Sequence, residues 1–253
     1  LLAAGADVNA RGPDDRTALW EAAHYARPVI VRLLLDRGAD VDVRDTYFRR
    51  TPLIEAATRH GLSITHLLVT HADPDHIAEA DTYTSRYDLQ VLAHPIEADR
   101  MDRVDGALAD GDIITAGGLE IATLLTPGHS PGHVSFLVNG TDCFTADVLF
   151  HGTVGGTMRD SYDSLHHSIM DVLMKLPHET RVHPGHTDPT TIGAEWDENV
   201  FIRLWRGVDP TGDEPCTVNG RAGTLELFAP DYDGGHKGLV KWEDGSHDVV
   251  PGS

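Results

Sequence analysis

The chain has 253 residues, with 20 basic and 40 acidic side chains and a formal charge of −20. At 40% hydrophobic and 24% charged residues it has the composition of a globular protein. The acid surplus excludes a typical nucleic-acid binder, no apolar run reaches the roughly eighteen residues of a membrane span, and no signal peptide opens the chain. With only two cysteines, Cys143 and Cys216, neither a disulfide framework nor a cysteine-rich zinc site is available, which points to the cytoplasm, while 16 histidines hint at metal.

The charge divides the chain. Residues 1–60 carry nine basic and nine acidic side chains, so residues 61–253, with eleven and thirty-one, hold the whole excess. The first part is repetitive. Gly5-Ala6-Asp7-Val8-Asn9 returns as Gly38-Ala39-Asp40-Val41-Asp42, and Leu1-Leu2 as Leu34-Leu35, both at a period of 33. Thr17-Ala18-Leu19 returns as Thr51-Pro52-Leu53. Threonine in these positions caps a helix, Ala22 and Ala56 allow close helix packing, and glycine accepts the left-handed turn that closes a helix. This segment resembles the ankyrin repeat, which implies helix pairs and contact with a protein partner.

The second part carries histidine motifs set on an alternation of expected strands and helices. The apolar run Ile64 to Val69, rich in β-branched residues, is expected to be a strand. It leads into Thr70-His71-Ala72-Asp73-Pro74-Asp75-His76, and a helix is expected over Asp75 to Tyr87. Gln90 to Ala93 reads as a strand ending at His94-Pro95, and Ile113 to Thr115 with Glu120 to Leu125 as a hairpin around Gly117-Gly118. The second motif, Thr126-Pro127-Gly128-His129-Ser130-Pro131-Gly132-His133, runs into a strand ending at Val138. Asp142 to Val148 reads as a buried strand carrying Asp147, and Ser164 to Leu176 as a helix. The third motif is Val182-His183-Pro184-Gly185-His186-Thr187. Strands are expected at Thr224 to Phe228 and Gly238 to Trp242, in a tail with no assigned role.

Imidazole and carboxylate are the ligands zinc accepts without thiolates. The order His-x-Asp-x-Asp-His, Gly-His, Asp, Gly-His resembles the metallo-β-lactamase-fold hydrolases, and T-P-G-H-x-x-G-H places it nearest the glyoxalase II-like, hydroxyacylglutathione hydrolase-like branch. The resemblance implies an α/β chain: an αβ/βα sandwich lacking some N-terminal strands, behind an all-α ankyrin-repeat segment. The corresponding boundaries are 1–61, 62–194 and a C-terminal extension over 195–253. It further implies two divalent metal ions, zinc first, with iron or manganese as alternatives. His71, Asp73 and His129 would bind one ion, Asp75, His76 and His186 the other, and Asp147 both, while His133 supports the site. A metal-bridged hydroxide oriented by Asp75 would attack a small ester or thioester. Other readings are an ankyrin-type interaction protein with an incomplete, inactive hydrolase portion, and a persulfide-oxidising single-iron relative. His166 or His167 would be the nearest further histidine to touch substrate, and His66, His94, His151 and His178 read as structural or surface residues.

Two features depart from the family. Asp73 stands where its first motif has a second histidine, a harder and anionic ligand that favours iron or manganese. Ankyrin-like sequence also occupies the place of the family's opening strands. His71-Ala72-Asp73-Pro74-Asp75 itself falls 33 residues after Gly38-Ala39-Asp40-Val41-Asp42, so the first motif has a second reading as the close of another repeat. The two readings separate at Ile64 to Val69: a strand if the metal site forms, a helix if the repeats continue.

Overall fold

A computed structural model describes residues 5–157 and 159–252. Leu1-Leu2, one half of the leucine repeat, lies outside the described residues. The chain divides into two compact units, residues 1–65 and 66–253.

The first unit is helical, with α1 (Ala18–His24), α2 (Pro28–Leu35) and α3 (Pro52–His60). Thr17 and Thr51 cap α1 and α3, their hydroxyls accepting from the Trp20 and Ile54 amides at 3.3 Å. α3 ends at Gly61 in the left-handed conformation, φ 64°. The repeated turns clasp one another: Asn9 donates to the Gly38 carbonyl at 3.1 Å and accepts from the Asp40 amide at 2.7 Å. Leu19, Ala22, Leu34 and Ala39 form the core between them. Glu55 in α3 takes His24 at 2.7 Å and Arg50 at 2.7 Å, which ties α1 to α3.

In the second unit β1 (His66–Leu68), β2 (Gln90–Ala93) and β3 (Gly106–Ala107) make a parallel three-stranded sheet in that order, with β1 at an edge. The stretch before the first motif is therefore a strand, shorter than the expected Ile64 to Val69. Sheet pairing wins over the ankyrin phase here, because Val69 continues the contact by donating to the Leu92 carbonyl at 2.9 Å. The expected helix Asp75 to Tyr87 is two short ones, α4 (Pro74–Ile77) and α5 (Ala80–Thr84), broken where Glu79 leaves helical geometry (φ −100°, ψ 3°). A third short helix, α6 (Pro95–Ala98), follows β2 directly.

A six-stranded sheet runs β4 (Ile113–Ala116), β5 (Leu119–Leu125), β6 (Val134–Val138), β7 (Asp142–Ala146), β8 (Arg181–Pro184) and β9 (Thr190–Thr191), antiparallel except for β7 on β8. Ile121, Val134 and Phe136 of this sheet pack on Leu68 and Leu92 of the first, so the two sheets share a core. The helix expected at Ser164 to Leu176 starts earlier, as α7 (Tyr162–His167), then widens to a π turn over Ser168–Val172 and tightens over Leu173–Lys175. Its buried Leu165, Ile169 and Leu173 pack with Cys143 and Val182. α8 (Ile192–Glu198) and α9 (Val200–Trp205) join the same core. The chain ends in an antiparallel meander, β10 (Glu214–Val218), β11 (Arg221–Pro230), β12 (His236–Trp242) and β13 (His247–Gly252), whose Leu239 and Val249 seal that core. No helix among the described residues is long and apolar enough to cross a membrane.

Candidate metal centre

Each motif leaves the end of a strand. After β1, the Thr70 carbonyl accepts from the Val134 amide at 2.9 Å, which sets the first motif beside β6 and the close of the second motif. The Asp73 carbonyl then accepts from the His76 amide at 2.9 Å, so α4 turns His76 back toward His71. In the second motif Gly128 has φ +138°, and a β-carbon there would lie 2.4 Å from the Leu165 α-carbon, so only glycine fits. At the end of β7, Ala146 takes φ 40°, a left-handed geometry that is strained for alanine and swings Asp147 off the strand. Gly185 donates to the Ala146 carbonyl at 3.0 Å, and its missing β-carbon would sit 2.3 Å from Asp147 Oδ1.

Two clusters result: His71, His129 and Asp147, and Asp75, His76 and His186. Asp147 lies between them. Its Oδ2 is 4.0 Å from His71 Nε2, 3.8 Å from His129 Nε2 and 3.2 Å from His186 Nε2, and its Oδ1 is 3.2 Å from His76 Nε2. Asp75 Oδ2 lies 3.1 Å from His186 Nε2 and 3.7 Å from His76 Nε2. Asp73 Oδ2 adds a fourth atom to the first cluster, 3.4 Å from His129 Nε2 and 3.8 Å from His71 Nε2. Four donors at about 2 Å from one tetrahedral ion stand about 3.3 Å from one another, so these separations, 3.1 to 4.0 Å, lie near the spacing that an ion would set.

The donor chemistry fits a cation. Buried His71 Nε2, His76 Nε2 and Asp147 Oδ1 have no aligned hydrogen-bond partner, although buried polar atoms are nearly always satisfied. Burial, reinforced by His76, pushes His71 down to about 3, and burial also lowers His129. Burial alone would raise Asp147, but His76, His186 and His71 hold it at about 2. Neutral His71 and His129 beside an ionised Asp147 are in the protonation states that metal binding requires, whereas His76, which burial would lower, is raised by Asp147 and Asp75 and must give up its proton to a metal ion.

A surrounding layer of contacts fixes these side chains. His129 Nδ1 donates to the Gly156 carbonyl at 3.2 Å, leaving Nε2 for the cluster. His133 packs 5.0 Å from the His71 ring with Nδ1 3.0 Å from the Thr126 hydroxyl. Sequence reasoning missed Glu97, which is 1% exposed in α6 and accepts from the Ala72 amide (2.9 Å), the Ser130 hydroxyl (2.7 Å) and the Gly132 amide (3.1 Å). It therefore staples the first motif to the second. Tyr232, from the turn joining β11 and β12, was also missed; it stacks on His186 at 5.0 Å between ring centres and 11° between planes. Neither carries a periodic or motif signal. His166 instead packs on Trp205, His167 pairs with Asp171, and neither belongs to the two clusters.

The sequence profile of the Metallo-beta-lactamase superfamily matches residues 32–186, and that of the Ankyrin repeat residues 14–46. The hydroxyacylglutathione hydrolase of Rhizobium etli (strain ATCC 51251 / DSM 11541 / JCM 21823 / NBRC 15573 / CFN 42) is 33% identical over 215 residues, 70% of this chain and 82% of the relative. The probable metallo-hydrolase YqgX of Bacillus subtilis (strain 168) is 34% identical, over 56% of this chain and 77% of its own. Among solved structures, the BLEG-1 B3 metallo-beta-lactamase superposes with a TM-score of 0.54 at 30% identity, covering 66% of this chain and 86% of that one. TTHA1623, crystallised in a di-iron-bound form, gives 0.52 at 32% identity over 59% and 83%.

Proposed function

Because the chain belongs to the metallo-beta-lactamase superfamily, we propose that it is a hydrolase of small esters or thioesters that works with two divalent metal ions. The observation that carries this reading is the convergence of seven side chains of metal-ligating chemistry, among which buried His71 Nε2, His76 Nε2 and Asp147 Oδ1 make no aligned hydrogen bond. His71, His129, Asp73 and Asp147 would hold one ion, and Asp75, His76, His186 and Asp147 the other. When bound, the ions supply a hydroxide nucleophile at neutral pH and polarise the acyl oxygen. Zinc is the first choice, and Asp73 admits iron or manganese.

The side chains divide the remaining work. Asp75, 58% exposed at the rim, keeps one oxygen toward His186 and is placed to orient the attacking water and accept its proton. Tyr232 stacks on the His186 ring and Phe150 lies 6.1 Å from it, contacts that hold the imidazole in place. Glu97 holds the two histidine motifs in register, so the ligands are positioned before any ion arrives. The test is thiol release from acyl thioesters by the zinc-loaded protein. Turnover that falls by orders of magnitude in Asp147→Ala supports the assignment, and equal turnover in that variant refutes it.

An ankyrin-type interaction protein with an incomplete, inactive hydrolase portion has in its favour that the first sheet has three strands, with β1 at its edge. The helical unit also exposes Val29, Ile30 and Leu33 on α2, an apolar face suited to a protein partner. Protein with no bound metal and no turnover after zinc loading would select this alternative.

A further inference from the structure

Asp73 has two sides. Oδ2 faces the His71 and His129 nitrogens, whereas Oδ1 receives two guanidinium groups. Arg100 brings both terminal nitrogens to 3.3 Å, and Arg159 approaches the same oxygen from the segment that follows Asp147. Both arginine side chains are substantially exposed, at 40% and 44%. Arg100 also reaches Glu97 at 3.4 Å, but that carboxylate is already engaged by Ala72, Ser130 and Gly132.

Two guanidinium groups meet at one oxygen of Asp73, and Arg100 is shared with Glu97. A guanidinium carries five N–H donors, so most of Arg159 and the remaining edge of Arg100 stay open to another planar anion. Elsewhere in this unit, arginines face acids of their own, as in Arg103 with Asp105, Arg181 with Asp142, Arg203 with Asp209 and Arg221 with Asp244. Only a carboxylate's width separates Arg100 and Arg159 from the metal-facing nitrogens.

We propose that Arg100 and Arg159, converging on Asp73 beside the metal centre, form an anion subsite, and that the substrate is an ester or thioester with a carboxylate within a few bonds of its scissile carbonyl. This rests on the hydrolase reading above. Forked guanidinium donors match carboxylate geometry, and a lysine at either place would supply charge without the fork. In the reaction, water oxygen bonds to the carbonyl carbon, the acyl–sulfur or acyl–oxygen bond breaks, and the leaving group departs with a proton. The bound carboxylate is unchanged and serves only to place the carbonyl.

The test compares matched thioesters of N-acetylcysteamine, succinyl against butyryl, with the zinc-loaded protein. A second pair moves the carboxylate to the thiol side, butyryl-N-acetylcysteine against butyryl-N-acetylcysteamine. For at least one pair kcat/KM should favour the carboxylate-bearing member by about tenfold to a hundredfold, the scale of one or two charge-assisted hydrogen bonds. In R100Q/R159Q the ratio should collapse toward one, and R100K/R159K should fall between, with zinc content measured on each. A wild-type ratio near one for both pairs overturns the subsite, as does a ratio that survives in R100Q/R159Q. If no thioester is turned over, the hydrolase reading fails by itself, and calorimetric titration of succinate into the same proteins decides the subsite. Weaker binding in R100K/R159K supports it, and equal binding overturns it.

Discussion

Replacing Glu97 by glutamine keeps the side-chain volume and changes only what it can accept. The amide oxygen can still receive the Ser130 hydroxyl and the Gly132 amide, now 2.7 and 3.1 Å from Oε1. The amide nitrogen then faces the Ala72 amide, 2.9 Å from Oε2, donor against donor. One orphaned buried donor costs about 1–3 kcal/mol, and turning charge-assisted bonds neutral adds about 1 kcal/mol, so a loss of roughly 2–4 kcal/mol is expected. Urea unfolding of metal-free protein at pH 7 measures it as a lower midpoint at unchanged slope. The pH dependence gives a second reading. Burial raises the Glu97 carboxyl, but hydrogen bonds from Ser130, Ala72 and Gly132, with the Arg100 charge, hold it below its ordinary value of 4.5. Its contribution is therefore complete above pH 4.5 and disappears as the pH falls through the lowered value. The gap between wild type and variant should close in acid. A gap under about 0.5 kcal/mol at pH 7, the scale of an ordinary surface substitution, or one that persists unchanged in acid, refutes this role for Glu97.

Gly185→Ala places a β-carbon 2.3 Å from Asp147 Oδ1 and 3.0 Å from His76 Cε1; chelator competition should show metal affinity lowered about tenfold or more, and unaltered affinity would mean that the centre is looser than described. Cys143 is fully buried, its thiol pushed up to about 12 by burial, whereas Cys216 is half-buried. Ellman's reagent should therefore find one reactive thiol in the native protein and two after unfolding, and two in the native protein would show the β7 core to be open. Asp73→His restores the family's nitrogen ligand and should shift metal preference from iron or manganese toward zinc, read as metal content after growth in mixed-metal medium. Unchanged selectivity would remove Asp73 from the ligand set.

The parts of this architecture written in local sequence were legible there. Thr17 and Thr51 announced their helices, and Gly117-Gly118 announced the β4–β5 hairpin, because capping and turn chemistry act within a few residues. The side chains that converge in the two clusters were legible through motif order and the family it resembles. At the join, local signals conflicted: Leu67 and Leu68 keep the ankyrin phase, yet they lie in β1, paired with Val91 and Leu92. That outcome depends on a partner strand more than twenty residues away, which no window around Leu67 contains. Glu97, Arg100, Arg159 and Tyr232 were silent for the same reason. Each acts on a motif brought to it by folding, as Tyr232 reaches His186 from the far end of the chain.

The proposed hydrolysis depends on these side chains binding two metal ions. Inductively coupled plasma mass spectrometry on protein purified without chelator, then loaded with zinc and desalted, counts them directly. Close to two ions per chain are expected, falling by at least one in Asp147→Ala, because that carboxylate lies between both clusters. A folded wild-type protein holding no metal, or an Asp147→Ala variant that keeps two ions, would contradict it.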